Sequence, residues 1–223
     1  RGIFSFAPTG YTNAGKSTLL NRLTQSEVLA EDKLFATLDT TTRALNLPSC
    51  QKVLVSDTVG FIQNLPHSLI EAFSSTLEEA LNSDAVIIVA DASHPDCVKC
   101  FDTTMETLST LGVRDKVKLV VINKVDSIYD DISYSYLKSQ GIETVETSMK
   151  TGEGLDNLLF AMERITDEVF ETISLRLPYS SPILSELSRK EEIQDIKYED
   201  YSILVKARVR KSEKKRYEEV IED

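Results

Sequence analysis

Three stretches carry residues whose types and spacing suit chemistry on a polyphosphate. The first is Gly10-Tyr11-Thr12-Asn13-Ala14-Gly15-Lys16-Ser17-Thr18, of the form G-x-x-x-x-G-K-S. Its two glycines let the backbone wrap a phosphate with no Cβ in the way. Successive N–H groups then point inward as an anion nest. The Lys16 ammonium can reach β- and γ-phosphates, and the Ser17 hydroxyl can bind Mg²⁺. The second stretch is Asp57-Thr58-Val59-Gly60. A carboxylate at a strand end can hold a Mg²⁺-bound water, and a glycine three residues later can bring its N–H to a γ-phosphate. The third is Asn123-Lys124-Val125-Asp126. The Asp126 carboxylate can accept from guanine N1–H and the 2-amino group together. Adenine lacks that amino group and would leave the charge unpaired, at a cost of roughly a few kcal/mol. Asn123 can tie this loop to the phosphate loop, and the Lys124 stem can cover the base. Backbone N–H groups around Thr147-Ser148-Met149 can meet the guanine O6. In this order the stretches point to GTP or GDP with Mg²⁺.

The elements that must position them follow from the patterning. Ile3 to Ala7 is a β-prone run, and Ser17 to Leu23 has Leu19, Leu20 and Leu23 at helical spacing. Strand, glycine loop and helix place a phosphate at a helix N-terminus. Residues 34–43 read as a polar loop. Ala44–Leu47 and Lys52–Ser56 are short strand candidates. Residues 66–81 predict a helix, with Pro66 in its first turn and Leu69, Ile70, Phe73, Leu77 and Leu81 as its stripe. Ala85–Ala90 and Val117–Ile122 are continuous apolar runs, as in strands covered on both faces. Cys97–Leu111 predicts a helix stopped by Gly112. Glu143–Thr147 predicts a strand, and Leu155 to about Thr172 a long helix. Alternating strands and helices predict an α/β fold of the P-loop NTPase type. Its sheet would be doubly wound and mostly parallel, with the motifs at the strands' carboxyl ends. Pro178-Tyr179-Ser180-Ser181-Pro182 then breaks the rhythm. Expected domains are 1–172, binding the nucleotide, and 173–223, a small α/β unit of strand, helix, strand, strand and helix.

Composition bounds the rest. The 223 residues are 41% apolar and 27% charged, as in a globular chain with a real core. No run approaches 18 apolar residues, so no membrane span is expected. Three cysteines cannot build a disulfide framework, and a cytoplasmic location is expected. Cys97-x-x-Cys100 lacks a second pair and reads as two ordinary thiols. A net charge of −11 argues against diffuse nucleic-acid binding. Near the end, Leu204, Lys206, Arg208 and Arg210 alternate with apolar residues, followed by Lys211, Lys214, Lys215 and Arg216. This basic face either meets RNA phosphates or is solvated.

The motifs support a narrower reading. Beside the phosphate loop stand Leu34-Phe35-Ala36-Thr37-Leu38-Asp39, Thr41-Thr42-Arg43 and Asp57-Thr58-Val59-Gly60-Phe61-Ile62. Then come Leu65-Pro66-His67, Leu69-Ile70, Ala72-Phe73 and Thr76-Leu77-Glu78-Glu79. With these the chain resembles the G domain of translational GTPase-like switches and, more narrowly, the HflX family of ribosome-associated GTPases. The likeness covers 1–172 well, and 173–223 resemble the family's small C-terminal domain. The family's N-terminal domain and helical linker have no counterpart in these residues, so a fragment is expected. The resemblance implies GTP hydrolysis coupled to binding the large ribosomal subunit, its RNA and proteins. In the full-length protein it implies splitting of stalled or idle ribosomes under stress. A monomer is expected.

The resemblance also assigns roles. Thr42, of the Thr41-Thr42 pair, is favoured as the switch residue closing over Mg²⁺ and the γ-phosphate, which makes Ser17, Thr42 and Asp57 the metal set. Phe61 follows D-x-x-G, where many GTPases place a water-orienting Gln. A phenyl ring cannot do that, and His67 is a conceivable substitute. Slow intrinsic turnover raised by a partner is therefore expected. The alternative is a nucleotide-gated ribosome-binding module with negligible hydrolysis. In several Gln-less GTPases that resemble this chain, the Asn matching Asn13 helps hold K⁺ beside the β- and γ-phosphates. Lys16, Thr42, Gly60 and Asn13 are thus the expected catalytic contributors. One departure is Pro8, where similar proteins usually carry an aliphatic residue, at the end of an expected central strand.

Overall fold

The computed structural model describes residues 3–25, 42–49, 51–56, 80–190 and 192–221. The first strand, β1 (Phe4–Thr9), leads through the glycine loop into α1 (Lys16–Gln25). A hairpin follows, β2 (Thr42–Asn46) and β3 (Lys52–Ser56). Next come β4 (Ala85–Asp91), α2 (Cys97–Thr110), β5 (Val117–Asn123), α3 (Asp131–Lys138), β6 (Glu143–Thr147) and α4 (Leu155–Asp167). The strands form one sheet in the order β2-β3-β1-β4-β5-β6. β1 runs parallel to β3 and β4, β4 to β5, and β5 to β6. This is the alternating α/β architecture of P-loop nucleotide-binding proteins.

The continuous apolar runs become the buried middle of the sheet. Every residue of β4 before Asp91 is buried, as is all of β5 except Lys118. Val86, Ile88, Ala90, Val120 and Ile122 pack with Cys97, Phe101 and Leu108 of α2 and Leu137 of α3. Cys97 and Cys100 are free thiols buried in α2, and burial pushes both thiols above their usual range. Gly112 ends this helical stretch at φ +70°, as the pattern predicts. Pro8 is accommodated within β1. It pairs with Ile87 on the β4 side, while the described β1–β3 register ends at Phe6↔Val55.

Two elements here depart from expectation. Residues 131–138 form α3, although their apolar spacing is poor. The helix starts because the Asp130 carboxylate accepts from Ser133 N–H at 2.8 Å, an N-cap bond. The helix from Leu155 ends at Asp167 instead of continuing to Thr172. From Phe170 the period changes to two, and Ile173, Leu175 and Leu177 line one face of a strand, β7 (Phe170–Leu177). Residue 172 lies inside that strand. Of the expected helix 66–81, only its last residues are described, and 80–82 are helical.

Beyond β7 come α5 (Pro182–Arg189), β8 (Ile193–Tyr198), β9 (Ile203–Arg210) and a 3₁₀ segment, Lys211–Val220, in place of an α-helix. Ser181 caps α5, and Pro182 occupies its first turn. The strands form an antiparallel sheet in the order β7-β9-β8. Its apolar face packs Leu175, Leu177, Val205, Ala207 and Val209 with Leu187 and Tyr217. Contacts divide the chain into two compact units. One comprises Ile3–Leu45 and Val53–Ala161, and the other Asn46–Lys52 and Met162–Asp223. The β2–β3 turn thus belongs to the same unit as the C-terminal sheet.

Candidate functional site

The phosphate loop starts where β1 ends. Gly10 has φ +155°, and a Cβ there would lie 2.3 Å from the Val89 carbonyl oxygen in β4. Gly15 has φ +105°, and a Cβ there would lie 2.3 Å from Asn123 Nδ2. Only glycine fits either position. Asn13, exposed at the loop's tip, takes a left-handed φ of +62°. Lys16 is 7% exposed, and its Nζ donates to the Gly10 and Tyr11 carbonyls at 3.0 and 2.8 Å. Its ammonium is thereby folded back over the loop that would receive a phosphate. The first turn of α1 follows this loop directly, so the helix dipole favours negative charge there.

The base-reading motif lies at the end of β5, one strand from β4. Asn123 is 1% exposed. Its Nδ2 donates to the Ala14 carbonyl at 2.9 Å. Its Oδ1 accepts from Met149 N–H at 3.1 Å and from Thr147 Oγ1 at 3.4 Å. One buried amide therefore fastens the phosphate loop, the β5 end and the β6 end together. The Ser148 hydroxyl donates to Asp126 Oδ1 at 2.7 Å, and this bond is the main cause holding the Asp126 carboxyl below its usual range. Asp126 itself is exposed. Arg22 of α1 donates to the Lys150 carbonyl at 2.8 Å, linking the phosphate-loop helix to the same loop. The N–H groups expected to meet the guanine O6 are engaged within the protein. Ser148 N–H donates to the Glu153 carbonyl at 3.0 Å, and Met149 N–H goes to Asn123.

For Mg²⁺ the donor chemistry fits, since hard oxygen ligands suit a small hard cation. Ser17 is exposed in the first turn of α1, beside the anion nest. Thr42 opens β2, and its Oγ1 lies 3.1 Å from Ser56 Oγ at the end of β3. With Thr42 as the donor of that bond, a lone pair of its Oγ1 is left for Mg²⁺. Arg43 anchors the same strand start to α1 through Asn21 Oδ1 at 2.8 Å and Thr24 Oγ1 at 3.1 Å. Asp57, Thr58, Val59 and Gly60, with Thr41, Phe61 and His67, lie outside the described residues.

Two features escaped sequence reasoning. Asp91, at the end of β4, binds Lys124 Nζ at 2.6 Å. Only the β4–β5 register, Asp91↔Asn123, brings it there. On the basic face of β9, Arg208 is neither solvated nor open to an RNA phosphate. Arg208 is 8% exposed, and its side chain is spent on Gln51, Thr166 and Asp167. The Arg210 guanidinium lies 4.9 Å from the Phe170 ring centroid. Lys214 pairs with Glu171 at 2.9 Å and Arg216 with Glu186 at 2.7 Å. Arg208 is thus not a surface contact for RNA phosphates, because its donors are used inside the unit.

Known proteins share this arrangement. Residues 5–124 match the family described as 50S ribosome-binding GTPase. The chain is 54% identical over 159 residues to a GTPase HflX of Lacrimispora saccharolytica, covering 71% of this chain and 37% of that protein. It is 41% identical over 218 residues to a GTPase HflX of Chlamydia pneumoniae, covering 97% and 46%. It is 40% identical over 218 residues to that of Akkermansia muciniphila, covering 93% and 48%. The chain thus spans less than half the length of these relatives. A solved structure of a GTP-binding protein from the hyperthermophilic archaeon Sulfolobus solfataricus in complex with GDP superposes with a TM-score of 0.62 at 28% identity. That match covers 74% of this chain and 53% of the other. No described helix is long and apolar enough to cross a membrane. With its phosphate loop and base-reading loop fastened by one buried asparagine, and with these relatives, the chain is a GTPase of the 50S ribosome-binding GTPase family and, within it, of the HflX group.

Proposed function

We propose that this chain is a guanine-nucleotide switch whose slow GTP hydrolysis is raised by the large ribosomal subunit. In the whole protein, of which it would form the nucleotide-driven part, that cycle splits stalled or idle ribosomes. The observation that carries the reading is Asn123, bonded at once to Ala14, Thr147 and Met149. It couples the loop for phosphate to the loop for base, so a nucleotide filling one finds the other in place. Asp126 would read N1–H and the 2-amino group, and Lys16 would neutralise the phosphates. Ser17, Asp57 and Thr42 would hold Mg²⁺, which when bound offsets charge on the β- and γ-phosphate oxygens. Thr58, Val59 and Gly60 would bring backbone donors to the γ-phosphate side.

The test is multiple-turnover GTP hydrolysis with and without purified large ribosomal subunits. A rise of tenfold or more, about 1.4 kcal/mol off the barrier, is expected. Undiminished nucleotide-dependent binding to subunits with no hydrolysis in either condition would support the binding-module reading instead. Rates indifferent to subunits, with no binding, would overturn the ribosomal part of the proposal.

A further inference from the structure

Asp91 sits at the carboxyl end of β4, in register with Asn123 at the end of the neighbouring strand. Its two oxygens have separate partners. Oδ2 accepts from Lys124 Nζ at 2.6 Å. Oδ1 accepts from the Ser93 N–H at 3.0 Å and the Ser93 hydroxyl at 2.6 Å. The backbone around it is held from both sides, since Ala92 N–H donates to the Asn123 carbonyl and Tyr129 N–H to the Ala92 carbonyl, each at 2.9 Å. The Asp91 side chain is 14% exposed and that of Lys124 is 36% exposed. Such a pair is less screened than a surface ion pair.

Lys124 is unusual in its backbone as well. It is one of two described non-glycine residues with positive φ, at φ +64° and ψ +38°. That conformation costs about 1–2 kcal/mol for an L-residue with an ordinary side chain. Such a residue persists where its surroundings over-determine it. Here the Asn123 carbonyl is bonded on one side, Ser127 N–H donates to the Lys124 carbonyl at 3.0 Å on the other, and Asp91 tethers the far end of the side chain. With backbone and ammonium both fixed, the four-carbon stem between them has little freedom left.

We propose that Asp91 is a positioning residue for base binding, holding the Lys124 stem where it covers the face of the bound purine. The inference rests on the guanine-nucleotide reading of the site. Asp91 itself touches no nucleotide. It acts by removing, before the ligand arrives, the rotamer entropy that a free lysine would lose on binding, the ordinary gain from preorganisation. Because the stem meets the ring's face and not its edge, the effect is blind to the purine's substituents. Asp126 reads the edge and is not.

The test is a double-mutant cycle read by equilibrium binding of GDP and of inosine diphosphate, which lacks the 2-amino group. Asp91→Asn keeps the shape and the Ser93 contacts but removes the charge. It is expected to weaken both nucleotides by about the same factor, three- to tenfold, leaving their ratio unchanged. In a Lys124→Ala background the same change is expected to do nothing. If Asp91→Asn costs as much without Lys124 as with it, the role is structural and the proposal fails. Tighter binding by Asp91→Asn would mean that Asp91 restrains Lys124 in an unproductive pose, which also overturns it. Failure of the unmodified chain to prefer GDP over adenosine diphosphate would instead defeat the underlying guanine reading. Circular dichroism and a thermal melt on each variant identify any that does not fold, and Asp91→Ser serves as the second neutral replacement.

Discussion

Arg208 Nε donates to Gln51 Oε1 at 2.6 Å, across 157 residues of sequence. The bond fastens β9 to the turn between β2 and β3. Arg208 Nη2 also reaches Thr166 Oγ1 at 3.2 Å, and it pairs with Asp167. Alongside, Ser49 N–H donates to Glu163 Oε1 at 2.7 Å and Gln194 Nε2 to the Ser49 carbonyl at 2.8 Å. Gln51 and Thr166 are buried and remain bonded to each other, Thr166 Oγ1 donating to Gln51 Oε1 at 2.8 Å, so removing Arg208 takes from them the charge-assisted bonds of its guanidinium. Arg208→Ala is expected to cost about 1–3 kcal/mol of stability. Urea unfolding followed by circular dichroism measures it, and a loss below about 0.5 kcal/mol, the scatter of an ordinary surface substitution, would contradict the assignment.

Gly15→Ala is a second test of the site's construction. The added Cβ would fall on Asn123 Nδ2, and the residue's φ of +105° disfavours any side chain. Loss of GDP affinity by more than tenfold is expected, with the fold retained by circular dichroism. Affinity within twofold of the unmodified chain would show that Asn123 yields easily and does not fix the loop.

The Asp126–Ser148 bond makes a prediction about pH. In the proposed site, guanine recognition needs the ionised carboxylate. Ser148 holds the Asp126 carboxyl below its usual range, so ionisation, and with it GDP binding, persists as pH falls through that range. Binding is lost only as pH drops through the lowered value. Ser148→Ala removes the stabilising donor, so the acid limb of a GDP-affinity profile is expected to move to higher pH. An unmoved limb would assign it to another group.

Much of this was legible in the sequence because its causes are local. G-x-x-x-x-G-K-S states its backbone demands within the stretch Gly10 to Ser17, and the positive φ at Gly10, Asn13 and Gly15 satisfies them. The AVIIVA and VKLVVI runs name their own burial. Local cues also mislead. The apolar spacing from Leu155 hides the change of period at Phe170, and the Asp130 cap carries α3 with little apolar patterning. The alternation Lys206-Ala207-Arg208-Val209 correctly assigns two faces to β9. What covers Arg208 is a turn 157 positions earlier, which no local pattern announces. Asp91 was invisible for the same reason, since its meaning comes from the β4–β5 register.

Potassium dependence is a further expectation. Asn13 is exposed at the loop tip, and a neutral amide oxygen can hold a monovalent cation without repelling phosphate. A cation there would offset charge that develops during hydrolysis, the part an arginine finger plays elsewhere. Hydrolysis in potassium is expected to exceed that in sodium by tenfold or more, about 1.4 kcal/mol. Asn13→Ala should abolish the difference while GTP binding survives. Equal rates in the two salts, with and without large ribosomal subunits, would dismiss the cation.

The central claim is that the loops fastened by Asn123 form one guanine-nucleotide site, and competition binding addresses it most directly. Labelled GDP on the unmodified chain is displaced by GTP, ATP and XTP in turn, and the series is repeated with Asp126→Asn. The account predicts displacement of GDP by GTP but not by ATP on the unmodified chain. For Asp126→Asn it predicts weaker guanine binding by about 1–3 kcal/mol, from loss of the charged acceptor. Binding of XTP should improve, since the amide can donate to the 2-oxo group. Equal displacement by ATP and GTP on the unmodified chain would contradict the account.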